Sequence, residues 1–68
     1  MATYRERLAE SLAAYMADPE TVAAHEAYGR AERAARSLPH EEYVLAESRA
    51  DQALSEATRG ARERHAMR

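Results

Sequence analysis

Apolar and polar residues follow each other along this chain with the period of α-helices. Thr3 and Glu6 have the spacing of a capping box, in which each side chain bonds the other's main-chain amide. The apolar side chains that follow recur at spacings of three and four, which is one stripe of an amphipathic helix: Tyr4, Leu8, Leu12, Tyr15 and Met16. The pattern predicts a helix over about 3–17, with this stripe facing inward.

Two prolines mark the next helix starts. Asp18 suits an N-cap and Pro19 suits a first helical position, so we expect a second helix over 19–37. A third helix is expected over 39–66, from Pro39 onward. The predicted inward stripes of both helices consist mostly of alanine. Gly29 lies inside the second helix, and the pattern leaves open whether it divides that helix.

Short linkers favour antiparallel neighbours. The predicted fold class is therefore all-α: a small antiparallel three-helix bundle, or a helical hairpin, with a long C-terminal helix. Residues 1–68 form a single helical domain in this interpretation. At 1.5 Å per residue the third helix exceeds the second by roughly 13 Å. We expect residues 59–68 to overhang as a basic arm.

The composition limits what such a domain can bury. Alanine supplies 17 of the 68 residues, and the chain has no cysteine, phenylalanine or tryptophan. A chain this short buries only about 60% of its unfolded surface. Small scaffolds usually need a disulfide, a metal or a partner chain for stability. Without cysteine, self-association or a protein partner is the expected source of further burial.

Charge and hydropathy restrict the compartment and the partners. The net charge is −2, with six arginines and eleven acids in residues 1–56 and four arginines and one acid in residues 57–68. No apolar run approaches the ~20 residues of a membrane span. The charged N-terminus does not resemble a signal peptide. We expect a cytoplasmic protein that does not bind a membrane.

Reactive chemistry is scarce. No two of His25, His40 and His65 have the i, i+3 or i+4 spacing that places two ligands on one helix face. The serines carry no flanking catalytic motif, and no glycine-rich phosphate loop is present. We therefore expect no metal, no cofactor and no enzymatic activity.

The most distinctive polar pattern lies in the second helix. A docking surface for an acidic protein is predicted from three arginines, an apolar residue, a histidine and a glycine on one flank, together with an apolar residue of the third helix: Val22, His25, Gly29, Arg30, Arg33, Arg36 and Leu45. A competing interpretation is that Glu26 pairs with Arg30, and Glu32 with Arg36, in the favourable i, i+4 order of intrahelical ion pairs.

A second basic pattern lies at the C-terminus. Arg59, Arg62, Arg64 and Arg68 are candidates for phosphate contacts and salt-dependent nucleic-acid binding. Cations at a helix C-terminus also stabilise the helix dipole without any ligand.

The predicted function is a non-enzymatic protein–protein interaction module: a small regulator, an inhibitor of the phage type, or an accessory subunit of a larger machine. The alternatives are a nucleic-acid-binding protein that uses the C-terminal arginines, and a structural helical oligomer. The expected partner is a protein with an acidic surface. A homo-oligomer is also compatible with the pattern, and nucleic acid is less favoured.

Overall fold

The structure, a computed structural model, describes residues 1–66. These residues form four helices and no strand: α1 (Tyr4–Ala17), α2 (Pro19–Ala35), α3 (His40–Ala57) and α4 (Arg59–Arg64). The all-α prediction is confirmed.

Local capping sets the starts of α1 and α2. The Glu6 amide donates to Thr3 Oγ1 at 3.2 Å and the Thr3 amide donates to Glu6 Oε2 at 3.4 Å, which completes the predicted capping box. Asp18 Oδ1 accepts from the Glu20 amide at 2.9 Å, and Pro19 opens α2. Since Asp18 is the only residue between Ala17 and Pro19, α1 and α2 meet at a tight corner.

An antiparallel hairpin of α2 and α3 forms the body of the molecule. Its two helices face each other through small side chains, which enclose a narrow space of about 130 Å³ lined by Ala24, Ala27, Tyr28, Ala31, Ala50, Ala53, Leu54 and Ala57. The buried apolar residues of the described chain are all alanine: Ala24, Ala35, Ala50 and Ala61. The hairpin therefore gains close helix contact and little burial of large apolar groups.

The third helix, predicted over 39–66, departs from that prediction from residue 58 onward. α3 ends at Ala57, Thr58 adopts φ −98° and ψ 0°, and the chain continues as the short helix α4. The buried Thr58 hydroxyl donates to the Leu54 carbonyl at 2.8 Å, and such bonding one turn back bends helices. α4 packs against α1 and α2, so residues 59–64 do not overhang as the predicted arm.

Gly29 does not divide α2, which continues to Ala35, two residues short of the predicted end. Ala35 is buried and Arg36 already lies outside the helix.

The apolar stripe of α1 was predicted to face inward, and this is wrong. α1 packs on α2 and α4 and does not approach α3, and no residue of α1 is buried. Four side chains of the stripe stay exposed, with exposed fractions of 67, 47, 59 and 51% for Tyr4, Leu8, Leu12 and Met16. The inward faces of α2 and α3 are already used on each other, so nothing in the described chain covers these side chains.

Candidate functional site

The predicted arginines lie on the second half of α2 and directly after it, with Arg30 and Arg33 inside the helix and Arg36 at its C-cap. We call Val22, His25, Gly29, Arg30, Arg33 and Arg36 the arginine face. All its residues are exposed except Gly29, which is half-buried. Within residues 1–66, no carboxylate lies within 4.0 Å of the guanidinium groups of Arg30, Arg33 or Arg36. The competing prediction of Glu26–Arg30 and Glu32–Arg36 ion pairs is therefore not met.

Glu32 is turned inward, which explains the missing ion pair to Arg36. It is partly buried, and its Oε1 atom is enclosed without a hydrogen-bond partner in the described chain. Burial, together with the carboxylates of Asp51 and Glu32, raises the pKa of Tyr28 to about 12. The negative charge of Glu32 thus acts on the α2–α3 contact rather than on the arginine face.

Gly29 forms a shallow notch in the arginine face. A Cβ atom at this position would lie 3.3 Å from Arg33 Nη1, so the Arg33 side chain runs back over the glycine. Val22 is 43% exposed two helical turns earlier on the same flank. The arginine face therefore combines positive charge with an exposed apolar side chain and a shallow depression at Gly29.

Leu45 does not belong to the arginine face. It lies on α3 with 57% of its side chain exposed. Leu45 was predicted to share a docking surface with the arginines, and this grouping stays a prediction, because Leu45 lies on α3 and the arginines lie on or just after α2.

The end of α4 is fastened to the corner between α1 and α2 by a set of polar contacts. We call Asp18, Glu20, Arg64 and His65 the α4 clasp. Arg64 donates from Nε to Asp18 Oδ2 at 3.2 Å and from Nη2 to Asp18 Oδ1 at 3.2 Å, and it also reaches Glu20 Oε2 at 3.1 Å. His65 Nε2 lies 2.8 Å from Asp18 Oδ2, and the Ala61 amide donates to Glu20 Oε1 at 3.3 Å.

These contacts shift the ionisation of the clasp. The hydrogen bond from His65, followed by the Glu20 amide and by Arg64, lowers the pKa of Asp18 below its usual 3.8. The hydrogen bonds to Glu20 and then to Asp18 raise the pKa of Arg64. Both ions are therefore stabilised in the folded chain, and they hold α4 at the corner.

The C-terminal arginines do not form a free array. Arg64 belongs to the clasp. Arg62 donates from Nη1 to the Thr58 hydroxyl and from Nη2 to the Ser55 carbonyl at 3.0 Å. Arg59 is exposed, and Arg68 lies outside the described residues. Two of the four arginines predicted to meet phosphate are thus used inside the molecule.

Ser11, Asp18 and His65 have the composition of a nucleophile–base–acid set, but their geometry differs from one. The Ser11 hydroxyl donates to the main-chain carbonyl of His65 and not to its imidazole. The Nε2 atom of that imidazole is already bonded to Asp18. The ring is therefore not placed to take a proton from Ser11, as nucleophilic catalysis requires.

An open groove between α1 and α4 was not anticipated from the sequence. Its volume is about 300 Å³ and its wall is mostly apolar, lined by Leu8, Ser11, Leu12, Tyr15, Arg62 and His65. We call it the α1 groove. Leu8 and Leu12 form both its edge and part of the exposed stripe. Of the residues that line the groove, the sequence pattern indicated only those of the apolar stripe of α1.

Within residues 1–66, no group of three or more histidine or acidic side chains is arranged to hold a metal ion. Among the described helices, none has the length and apolar character needed to cross a membrane. Comparison with protein-family models, with curated proteins and with solved structures found no match to this chain.

Proposed function

We propose that the chain is a non-enzymatic protein–protein interaction module that binds an acidic surface through the arginine face of α2. In this role it acts as a small regulator, an inhibitor or an accessory subunit of a larger assembly. The observation that carries the proposal is the exposure of Arg30, Arg33 and Arg36 without any carboxylate partner in the described chain.

The spacing of these arginines suits a protein surface. Arg30 and Arg33 lie about 4.5 Å apart along the helix axis at 1.5 Å per residue, and Arg36 follows at the C-cap of α2. A guanidinium group bonds a carboxylate with two parallel hydrogen bonds, so one helix flank can engage two or three neighbouring acids. Arginine is also enriched among the residues that dominate binding energy at interfaces.

The rest of the face supports contact with a folded partner. Val22 adds exposed apolar area, and the Gly29 notch allows close approach wherever Arg33 swings aside to meet an acid. Charges at the edge of an interface mainly raise the association rate and make it depend on salt. We therefore expect fast, salt-sensitive binding.

The direct test uses two matched double variants. Arg30→Gln with Arg33→Gln removes two charges from the arginine face, and Arg5→Gln with Arg49→Gln removes two exposed charges elsewhere. Fluorescence anisotropy with labelled polyglutamate as a defined acidic probe should show at least a tenfold weaker interaction for the first pair only. Equal binding by both double variants contradicts the proposal.

The nucleic-acid alternative is tested in the same assay with a labelled DNA duplex. Two arginines of the C-terminal arm predicted to bind nucleic acid, Arg62 and Arg64, make contacts within the chain instead. The proposal expects tighter binding to polyglutamate than to the duplex at equal salt. Tighter binding to the duplex, removed by Arg59→Gln and unaffected by the arginine-face variant, would instead support nucleic-acid recognition.

A further inference from the structure

We propose that α1 is a dimerisation helix: two copies of the chain pair antiparallel through the exposed apolar residues of α1, with Leu8 of each copy packed on Leu12 of the other. We call Tyr4, Leu8, Leu12 and Met16 the α1 stripe. This surface is separate from the arginine face on α2, so the dimer and the proposed function stand independently.

Among the described helices, α1 carries the most exposed large apolar side chains, four against one on α2 and two on α3. Every residue from 4 to 10 is exposed, and each of the four stripe side chains is about half exposed or more. The buried apolar residues of the described chain are four alanines. The large apolar side chains of α1 therefore need a cover that the rest of the described chain does not supply.

The distribution of charge along α1 favours an antiparallel pair of copies over a parallel one. All charged residues of α1 lie in its first half, at Arg5, Glu6, Arg7 and Glu10, and residues 11–17 carry none. In an antiparallel pair centred between residues 8 and 12, Arg5, Glu6 and Arg7 of each copy lie level with the uncharged residues 13–15 of the other, and only Glu10 lies level with its own copy. Parallel pairing sets each charge beside its own copy, which is unfavourable. The antiparallel order also aligns the two helix dipoles favourably.

The α1 groove makes this arrangement self-complementary. An antiparallel register centred between residues 8 and 12 places Leu8 of one copy at Leu12 of the other, at the edge of the groove that Tyr15 and His65 line. The same register places Tyr4 at Met16. Each copy then supplies both the apolar side chains and the groove that receives them, as a two-fold symmetric contact requires.

Solution mass tests the dimer. Sedimentation equilibrium of the unmodified chain should give twice the 7.6 kDa of one copy at concentrations from about 1 µM upward. Leu12→Glu should weaken the dimer at least tenfold. Leu45→Glu, an equally large change at a leucine with 57% exposure against 59% for Leu12, should leave the mass doubled. Circular dichroism checks that both variants remain helical.

Disulfide trapping tests the orientation without a background reaction, because the chain has no cysteine. Leu8→Cys and Leu12→Cys are mixed in equal amounts and oxidised. Antiparallel pairing predicts that the 8-to-12 disulfide dominates over the two symmetric products. Dominance of 8-to-8 and 12-to-12 disulfides overturns the orientation. A single-chain mass for the unmodified protein at every concentration overturns the dimer, whatever the variants do.

Discussion

Replacing Gly29 with alanine tests both the packing of α2 and the openness of its outer flank. Gly29 lies in the interior of α2, and none of the described glycines has a positive φ, so its backbone is one that alanine adopts without strain. A new Cβ would meet only the end of the Arg33 side chain at 3.3 Å, and that end is free to move.

The magnitude follows from helix propensity. Glycine in a helix interior costs about 0.5–1 kcal/mol relative to alanine, mainly because the unfolded chain loses more freedom. With no fixed atom in the way, Gly29→Ala should recover most of that free energy of unfolding. For a domain of this size the gain corresponds to a rise in Tm of about 2–8 °C.

Gly60→Ala is the matched control, because the same substitution there meets the α4 clasp. Its Cβ would lie 3.0 Å from both Arg64 Nη1 and Glu20 Oε1, which are closer than ordinary van der Waals contacts. Accommodating it means displacing Arg64 or Glu20, and Glu20 Oε1 also accepts from the Ala61 amide. The gain in propensity should be cancelled, leaving Tm unchanged or lower.

Thermal unfolding followed by far-ultraviolet circular dichroism gives both values. Concentrations must be equal, since association raises Tm. A lower Tm for Gly29→Ala would refute the open outer flank of α2. A rise for Gly60→Ala equal to that for Gly29→Ala would refute the clasp as the contact that holds α4.

Two further predictions concern hydrogen bonding of polar side chains. Thr21 is fully buried and its hydroxyl has no partner in the described chain, whereas the buried Thr58 hydroxyl donates one turn back and accepts from Arg62. In urea titration, Thr21→Val should therefore stabilise the chain by about 1 kcal/mol and Thr58→Val should destabilise it, and the reverse order would contradict this assignment. His65 and the other partners of Asp18 lower its pKa, so in acid the unfolded chain binds more protons than the folded chain. The stability that the ionised Asp18 contributes is therefore complete above pH 3.8 and is lost as the pH falls below that value. Asp18→Asn should show a smaller loss of stability between about pH 5 and pH 2 in the same urea assay, and an unchanged acid limb would show that the clasp does not hold this carboxylate.

Features encoded within a few residues were predictable from the sequence. The starts of α1 and α2 follow from Thr3 with Glu6 and from Asp18 with Pro19, where a side chain bonds an amide two or three residues away. Arg30, Arg33 and Arg36 were expected on one exposed flank of the second helix, and all three are exposed.

Features that depend on distant residues were not predictable. The break at Thr58 accompanies the docking of α4, which rests on Arg64 reaching Asp18 from 46 positions away. The absence of the Glu32–Arg36 ion pair has the same kind of cause, because Glu32 turns toward Tyr28 of α2 and Tyr43 of α3. The exposure of the α1 stripe arises because α1 packs on α4 rather than on α3.

The central claim is that a core of small side chains leaves α1 to be covered by another chain. Amide hydrogen exchange of the unmodified protein at high and low concentration tests it most directly. The account predicts that α1 amides are protected at high concentration and lose that protection on dilution, before those of α2 and α3. Protection of α1 that does not change with concentration would contradict it.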